Sequence, residues 1–306
     1  VKFMLTYGHY SVVKTLDDLF DILDAKPASR ILAGATDILP WARYGRAGDV
    51  YLDSVVDIGK IQDLKYIKLD DGKLHFGANT TIAELQNDPI FRKHAPIFSH
   101  CAVWFADDQI REQATVAGNI VNASPAGDTQ PALLALNAKI ILIRRENGLI
   151  QKRSMLLSDF IEGPGKTGLL SKEIVFGFEC DSVPDYGYAY EKVGHRRSLV
   201  ISTVCLAVLL KLSADKKTLE DVRIGIGAVG PKPQRLTNLE RSLIGMPATS
   251  DLVHKVSSLA RDFVQSRSRQ DYRKEVLVGF IERSVIASIN QMGLKLSRYG
   301  EESLHG

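Results

Sequence analysis

The sequence predicts an α+β protein of two domains, and three observations predict it. Hairpin signals at Asp70-Asp71-Gly72-Lys73 and Asn147-Gly148 each join two β-rich runs. Amphipathic helical spacing lies between these hairpins without the regular strand–helix alternation of a parallel βαβ fold. A chain of 306 residues also exceeds one ordinary core, and roughly its last 70 residues are helical by pattern.

In chain order, Leu16, Leu19, Phe20 and Leu23 recur at helical spacing after the polar stretch Ser11 to Lys14, and Pro27 ends that helix. Arg30 to Ala33 reads as a short buried strand running into Gly34-Ala35-Thr36-Asp37. Ile38 to Tyr44 resumes helical spacing, with Thr36 or Asp37 placed to cap it. Val50 to Ile58 is β-rich, and Tyr66 to Leu69 and Leu74 to Ala78 flank the first hairpin turn. Thr81 and Glu84 form a capping-box pattern ahead of another helix. A helix near Pro96 to Phe105 follows, then a glycine-bearing segment from Thr115 to Asp128 and a helical Pro131 to Leu136. Lys139 to Arg144 and Ile150 to Arg153 pair around the second turn. Gly163-Pro164-Gly165 is a turn and Ile174 to Phe178 a strand. The domain boundary is expected near Leu170 to Lys172, dividing the chain into 1–171 and 172–306. Beyond it, Tyr186 to Val193, Leu199 to Leu212 and Val222 to Val229 read as strands.

Composition narrows the function. Hydrophobic content of 45% and charged content of 25% are those of a soluble globular protein, and a net charge of +3 advertises no nucleic-acid or anionic-membrane partner. No apolar run approaches the ~20 residues that span a bilayer, and Val1 to Tyr10 lacks a signal-peptide layout. Cys101, Cys180 and Cys205 are few and far apart. They suit neither a disulfide framework nor a zinc or iron–sulfur site, and fit a reducing cytoplasm.

Gly225-Ile226-Gly227-Ala228-Val229-Gly230 matches the dinucleotide fingerprint letter for letter and follows a strand. The fingerprint works only when a helix begins inside it, and here Pro231-Lys232-Pro233 follows, so the segment reads as a glycine-rich strand end. Ala33-Gly34-Ala35-Thr36-Asp37 has a better context. A glycine permits close backbone approach and exposed amides there can hold a phosphate, although such a turn is structural more often than not. Thr115-Val116-Ala117-Gly118-Asn119, followed by Ser124-Pro125-Ala126-Gly127-Asp128, again combines small residues with mixed donors and acceptors. A carboxylate such as Asp128 suits ribityl or ribose hydroxyls; the alternative is a polar loop with a capping aspartate. Two such loops about eighty residues apart can together clamp a long dinucleotide.

In their order along the chain, several segments together resemble the FAD-binding subunits of the xanthine dehydrogenase and carbon-monoxide dehydrogenase family. They are Leu32-Ala33-Gly34-Ala35-Thr36-Asp37, Gln109-Ile110-Arg111, Ala114 to Asn119, Asp128-Thr129-Gln130-Pro131, Gly163-Pro164-Gly165-Lys166-Thr167, Lys192 with Arg196-Arg197, and Gly227-Ala228-Val229 with Pro231 and Pro233. The resemblance implies a vanillyl-alcohol-oxidase-type FAD domain of two α+β subdomains, about 1–59 and 60–171, plus a C-terminal α+β domain. It implies a diphosphate held by the first loop, Ala33, Gly34, Ala35, Thr36 and Asp37, and by the second, with Thr115, Ala117, Gly118 and Asn119; Ile31, Leu32, Ile38, Ala114 and Val121 are also expected to bind the cofactor. By the same matching Phe105 lies by the flavin, Asp128 on its sugar-alcohol chain, and Ile174, Val175 and Lys192 around the isoalloxazine or adenine side, with Ser124 also among the cofactor-binding residues. Both loops carry alanine, Ala35 and Ala117, where the family more commonly has glycine.

A cation such as Lys192 near a flavin stabilises its anionic reduced form; the alternative is a solvated lysine after a strand. His195, Arg196 and Arg197 read as a surface or subunit contact. Ser198, Leu199 and Val200 follow them, where NAD-using relatives carry acidic residues, which leaves the electron acceptor open. Arg267, Arg269, Arg273 and Lys274 with Asp271 and Glu275 read as a charged helix face. No histidine or cysteine matches a covalent flavin attachment, so FAD is expected to be non-covalent. The implied assembly adds a molybdopterin-binding large subunit and a small subunit with 2Fe-2S clusters, as a dimer of heterotrimers, and no acid–base catalyst is expected in this chain. Two rivals stand beside this expectation: a self-sufficient flavin oxidoreductase on the same fold, and a scaffold that has lost FAD.

Overall fold

A computed structural model of the chain describes residues 5–43, 51–196, 199–266 and 268–297. Of the residues singled out above, Tyr44, Val50, Arg197, Ser198 and Arg267 lie outside the described residues, as do the first four.

The first unit runs β1 (Thr6–Val12), α1 (Leu16–Ala25), β2 (Arg30–Leu32), α2 (Ile38–Arg43) and β3 (Tyr51–Asp57). Thr15 caps α1 by accepting a hydrogen bond from the Asp18 N–H, and the apolar stripe Leu19, Phe20 and Leu23 is buried. The sheet order is β1-β3-β2, and both pairings are parallel. Locally, therefore, this segment is the alternating parallel unit that the pattern did not suggest. β1 escaped detection because it is an exposed edge strand with no apolar alternation.

The second unit comprises β4 (Ile67–Asp70), β5 (Lys73–Gly77), α3 (Ile82–Asn87), α4 (Pro89–His94), α5 (Ile97–Val103), α6 (Asp108–Gln113), α7 (Val116–Val121) and α8 (Thr129–Ala135). It continues through β6 (Lys139–Glu146), β7 (Leu149–Leu156), α9 (Leu157–Phe160), β8 (Ile161–Gly163), β9 (Lys166–Thr167) and β10 (Ile174–Asp181). Both hairpins form, with Asp71, Gly72, Asn147 and Gly148 all at positive φ, as a two-residue turn of matching twist requires. The Thr81–Glu84 capping box is complete, each partner bonding the other's backbone N–H. The sheet order is β4-β5-β10-β6-β7, all antiparallel. Phe76 of β5 stacks on Phe178 of β10 at 5.1 Å and meets Phe91 and Phe98 edge-on, which seats the helices on the sheet. The boundary expected near Leu170 to Lys172 falls just before the last strand of this sheet in chain order. β10 is the middle strand of this sheet, so the unit extends to Asp181.

The third unit holds β11 (Gly187–Val193), β12 (Val204–Leu212), β13 (Leu219–Gly227), β14 (Gln234–Arg235), α10 (Thr237–Leu243), α11 (Ser250–Ser258) and α12 (Gln270–Gln291), with the antiparallel order β11-β12-β13-β14. Strand β12 starts at Val204 and not at Leu199, because Leu199 adopts a φ of 51° and its carbonyl accepts from Arg196. β12 also explains how the units dock. Its alternate residues Cys205, Ala207 and Leu209 join the core of the second unit, while Val204, Leu206, Val208 and Leu210 join the core beneath α12. Period-two side-chain alternation thus splits one strand between two cores. At about 1.5–3 kcal/mol per fully buried large apolar side chain, this shared strand is a strong weld. The Gly225–Gly230 segment behaves as a strand end. A Cβ on Gly225 would stand 2.2 Å from the Pro131 carbonyl oxygen of α8, so the glycine serves helix–sheet packing. The strand ends at Gly227, and β14 rather than a helix follows.

Candidate functional site

The two small-residue loops meet. Leu32 ends β2 and passes its carbonyl to the Ile58 N–H at 2.9 Å, leaving 33–37 to turn towards α2. A Cβ on Gly34 would lie 1.9 Å from the Gln113 carbonyl oxygen and 3.1 Å from the Ala114 Cα. Only glycine allows this approach, which sets the first loop directly on the residues that open α7. There Thr115 caps α7 by accepting from the Gly118 N–H at 3.1 Å. Gly118 is exposed, and a Cβ placed on it would meet only the Thr115 Oγ1, at 3.0 Å. In α7's first turn the Gly118 N–H goes to Thr115 and the Val116 N–H to the Thr80 carbonyl, so the open space lies over the Gly118 Cα.

A brace that sequence reasoning missed fixes this junction. The Asn79 Nδ2 donates to the Ile58 carbonyl at 2.8 Å, beside the end of β2, and the Thr80 carbonyl accepts from the Val116 N–H at 2.9 Å. Ile82 N–H reaches the Ala114 carbonyl, and the Ala78 N–H reaches Phe176, which carries the support to β10. The only local signal was the GANTT run between the hairpin and the capping box, whose polar residues are buried at Asn79 and Thr80.

The alanines that replace glycine leave the cleft clear. Ala117 is 8% exposed and belongs to the core, and Ala35 packs on Leu32, Ile38 and Val55, so both methyls face inward. Ala35 nonetheless holds a φ of 55°, a left-handed conformation that disfavours any residue with a Cβ. On these observations the residues present fit a nucleotide diphosphate: touching loops, an open glycine and no methyl in the gap.

Asp128 and Lys192, expected as separate cofactor contacts, form one ion pair. Lys192 Nζ lies 2.7 Å from Asp128 Oδ2 and donates to the Trp104 carbonyl at 2.9 Å. Ser202 Oγ donates to Asp128 Oδ1 at 2.7 Å, and Tyr190 OH donates to the Asp128 carbonyl. The lysine side chain is only 2% exposed. Burial pushes the Asp128 carboxyl above its ordinary value, with Lys192 and Ser202 pulling it back. The alternative of a solvated lysine does not describe Lys192. Its charge is matched, and the pair ties the start of α8 to β11.

Phe105 precedes α6, half-buried on the core, and its carbonyl accepts from Arg111 NH1 at 2.7 Å. Asn119 Oδ1 accepts from the Thr129 hydroxyl, and Ser124 Oγ closes a turn on the Ala126 N–H. Ile31 and Leu32 sit on β2, Ile38 starts α2, and Val121 is an exposed residue ending α7. Ile174 and Val175 are buried on β10, beside Phe176, whose carbonyl accepts from the Ala78 N–H of the 78–80 brace. His195 is exposed near Arg269, whereas Arg273 of the charged face turns inward to the Thr203 and Ala228 carbonyls.

All three cysteines are free and buried, and burial pushes their thiols up, that of Cys205 to about 12, which leaves them unreactive. Among the described residues no group of three or more His, Cys, Asp or Glu side chains is placed to hold a metal ion. Nor is any described helix long and apolar enough to cross a membrane.

Residues 4–180 match the family described as the FAD binding domain in molybdopterin dehydrogenase, and residues 188–287 match the CO dehydrogenase flavoprotein C-terminal domain. The chain is 30% identical over 273 residues to the glyceraldehyde dehydrogenase medium chain of Sulfolobus acidocaldarius, covering 88% of this chain and 93% of that protein. It is 30% identical over 282 residues to the xanthine dehydrogenase FAD-binding subunit of Escherichia coli O157:H7, covering 91% and 94%. Its fold is similar to that of a chain of quinoline 2-oxidoreductase from Pseudomonas putida 86, with a TM-score of 0.84 at 21% identity over 94% of this chain and 98% of that one. The chain belongs to the family of FAD-binding subunits of molybdenum-containing dehydrogenases, and is an oxidoreductase subunit.

Proposed function

We propose that this chain binds one FAD non-covalently, with the diphosphate between loops 33–37 and 114–119, and relays electrons within a multi-subunit molybdenum hydroxylase. The seating of Gly34 on Gln113 and Ala114 carries this reading, because it makes one cleft of two loops distant in sequence. Bound FAD supplies the capacity to take electrons singly and release them in pairs. The chain's own part is to hold and shield it. The Ala117 backbone amide is assigned as a donor to the diphosphate, the bare Gly118 lets it come close, and the half-buried Phe105 offers an apolar surface to the ring. Thr36 and Ser124, partly exposed, and the exposed Asp37 are assigned to polar contacts along the cofactor, with Ile174 and Val175 behind it. No residue here is assigned acid–base work, and substrate hydroxylation is assigned to another subunit.

Electrons are taken to arrive from 2Fe-2S clusters of a small partner subunit, themselves reduced by a molybdopterin-binding large subunit, in a dimer of heterotrimers. The relatives named as medium chains and FAD subunits support this division of labour. Three unpaired cysteines support a cytoplasmic location. Affinity purification from the native host, followed by flavin and metal analysis, tests the reading. FAD with molybdenum and iron in one complex is the expected outcome; a lone flavoprotein that turns over an organic substrate unaided would contradict it.

A further inference from the structure

We propose that Arg111 is a positioning residue for the flavin, acting with Lys192 by gripping the backbone of the turn that carries Phe105; the proposal rests on the FAD reading above. Three consecutive carbonyls of this turn are each held by a cation. Arg111 NH1 donates to the Phe105 oxygen at 2.7 Å and reaches the Val103 oxygen at 3.5 Å, and Lys192 Nζ takes the Trp104 oxygen between them at 2.9 Å. The two cations come from different units, Arg111 from α6 and Lys192 from β11 of the C-terminal unit.

The turn needs such a grip. Val103 and Trp104 are 58% and 43% exposed, so burial does little to fix them, and Ala106 stands at a φ of 41°. Local hydrogen bonds hold its N–H groups, from Trp104 to Cys101 and from Phe105 to Ala102, but its oxygens depend on the cations. Arginine suits the task because its planar fork serves several acceptors at once; here the second terminal nitrogen bonds Asp108, leaving NH1 for the turn. Arg111 is also well placed to couple the turn to the cleft. Its helix α6 starts just after the turn, capped by Asp107 on the Ile110 N–H at 2.8 Å, and ends at Gln113, the residue on which Gly34 rests. One short helix thus sets the distance between the aromatic face and the diphosphate loops.

The test is FAD titration of the flavin-stripped full chain, with visible circular dichroism of the bound flavin and thermal melting of the stripped chain as independent readouts. Arg111→Met, Phe105→Leu and the double variant are compared. If Arg111 acts through Phe105, Arg111→Met weakens FAD binding about tenfold and diminishes the flavin dichroism, while the double variant binds no more weakly than the weaker single variant. Additive losses, or unchanged affinity and dichroism in Arg111→Met, would overturn the proposal. Should Arg111→Met not fold, Arg111→Lys keeps the charge but loses the fork, and the same cycle with Phe105→Leu decides. Failure of the wild-type chain to take up any FAD would instead overturn the reading on which the proposal rests.

Discussion

Consider truncating Lys192 to methionine, which keeps the buried stem and removes the charge. The ammonium lies 2.7 Å from Asp128 and its side chain is 2% exposed, so water screens the pair little. At that distance two unit charges attract by about 6 kcal/mol at an effective dielectric of 20, and several kcal/mol of desolvation for each ion offset most of it. The net worth of the pair is therefore small, but breaking it is not. Lys192→Met leaves a buried carboxylate facing only Ser202, which is expected to destabilise the chain by about 3–5 kcal/mol. Replacing both partners, as Lys192→Met with Asp128→Asn, removes both charges and is expected to recover all but about 1–2 kcal/mol. Equilibrium urea unfolding followed by far-ultraviolet dichroism measures each difference. The single variant also carries a pH signature. Asp128, already raised by burial, rises further without Lys192, so the native state binds more protons than the unfolded one above the ordinary value of 3.8. Stability of Lys192→Met should thus fall as pH climbs, and its deficit should shrink in mild acid. A deficit under about 1 kcal/mol, or a double variant no better than the single, would refute the buried-pair argument.

Other expectations follow from single residues. Ala35→Gly relieves a left-handed alanine but loosens the unfolded chain, and the balance favours the variant by roughly 0.5–1 kcal/mol in the same unfolding assay. Gly225→Ala drives a methyl to 2.2 Å from the Pro131 carbonyl and should destabilise by about 1–3 kcal/mol in thermal melts of the flavin-free chain, where a nucleotide-binding glycine would show no effect. Glu173 is buried, which pushes its carboxyl up, yet the two-pronged Arg153 and the Leu170 N–H outweigh this and hold it below its ordinary value. Its contribution is complete above about pH 4.5 and is lost as pH falls through the depressed folded value. Glu173→Gln should accordingly flatten the acid side of the stability–pH curve.

What was legible in the sequence was local. The Thr81–Glu84 box, the Asp71-Gly72 and Asn147-Gly148 turns and the amphipathic α1 each depend on residues within a few positions of one another, and all form. The false dinucleotide fingerprint was legible too, since Pro231 and Pro233 forbid the helix that it needs. Pairings across long separations were not. β1 carries no apolar alternation to reveal its parallel partner β3, and nothing near Ile174 says that β10 inserts between β5 and β6. At the site, the small-residue loops suggested a shared cleft and the structure brings them into contact, but Asp128 and Lys192 are 64 positions apart, so no spacing rule joins them. Alternation in β12 was hidden because both faces are buried, which turns a period-two signal into a continuous apolar run.

Gly118→Leu tests the diphosphate cleft most directly. Gly118 is exposed, and an added Cβ meets only the Thr115 Oγ1, which must yield a few tenths of an ångström, so melting of the stripped chain should change little. A leucine there fills the space assigned to the diphosphate, and FAD titration should show affinity reduced by about a hundredfold or more, roughly 2.7 kcal/mol. A Gly118→Leu chain that folds and binds FAD as tightly as the wild type would contradict the account.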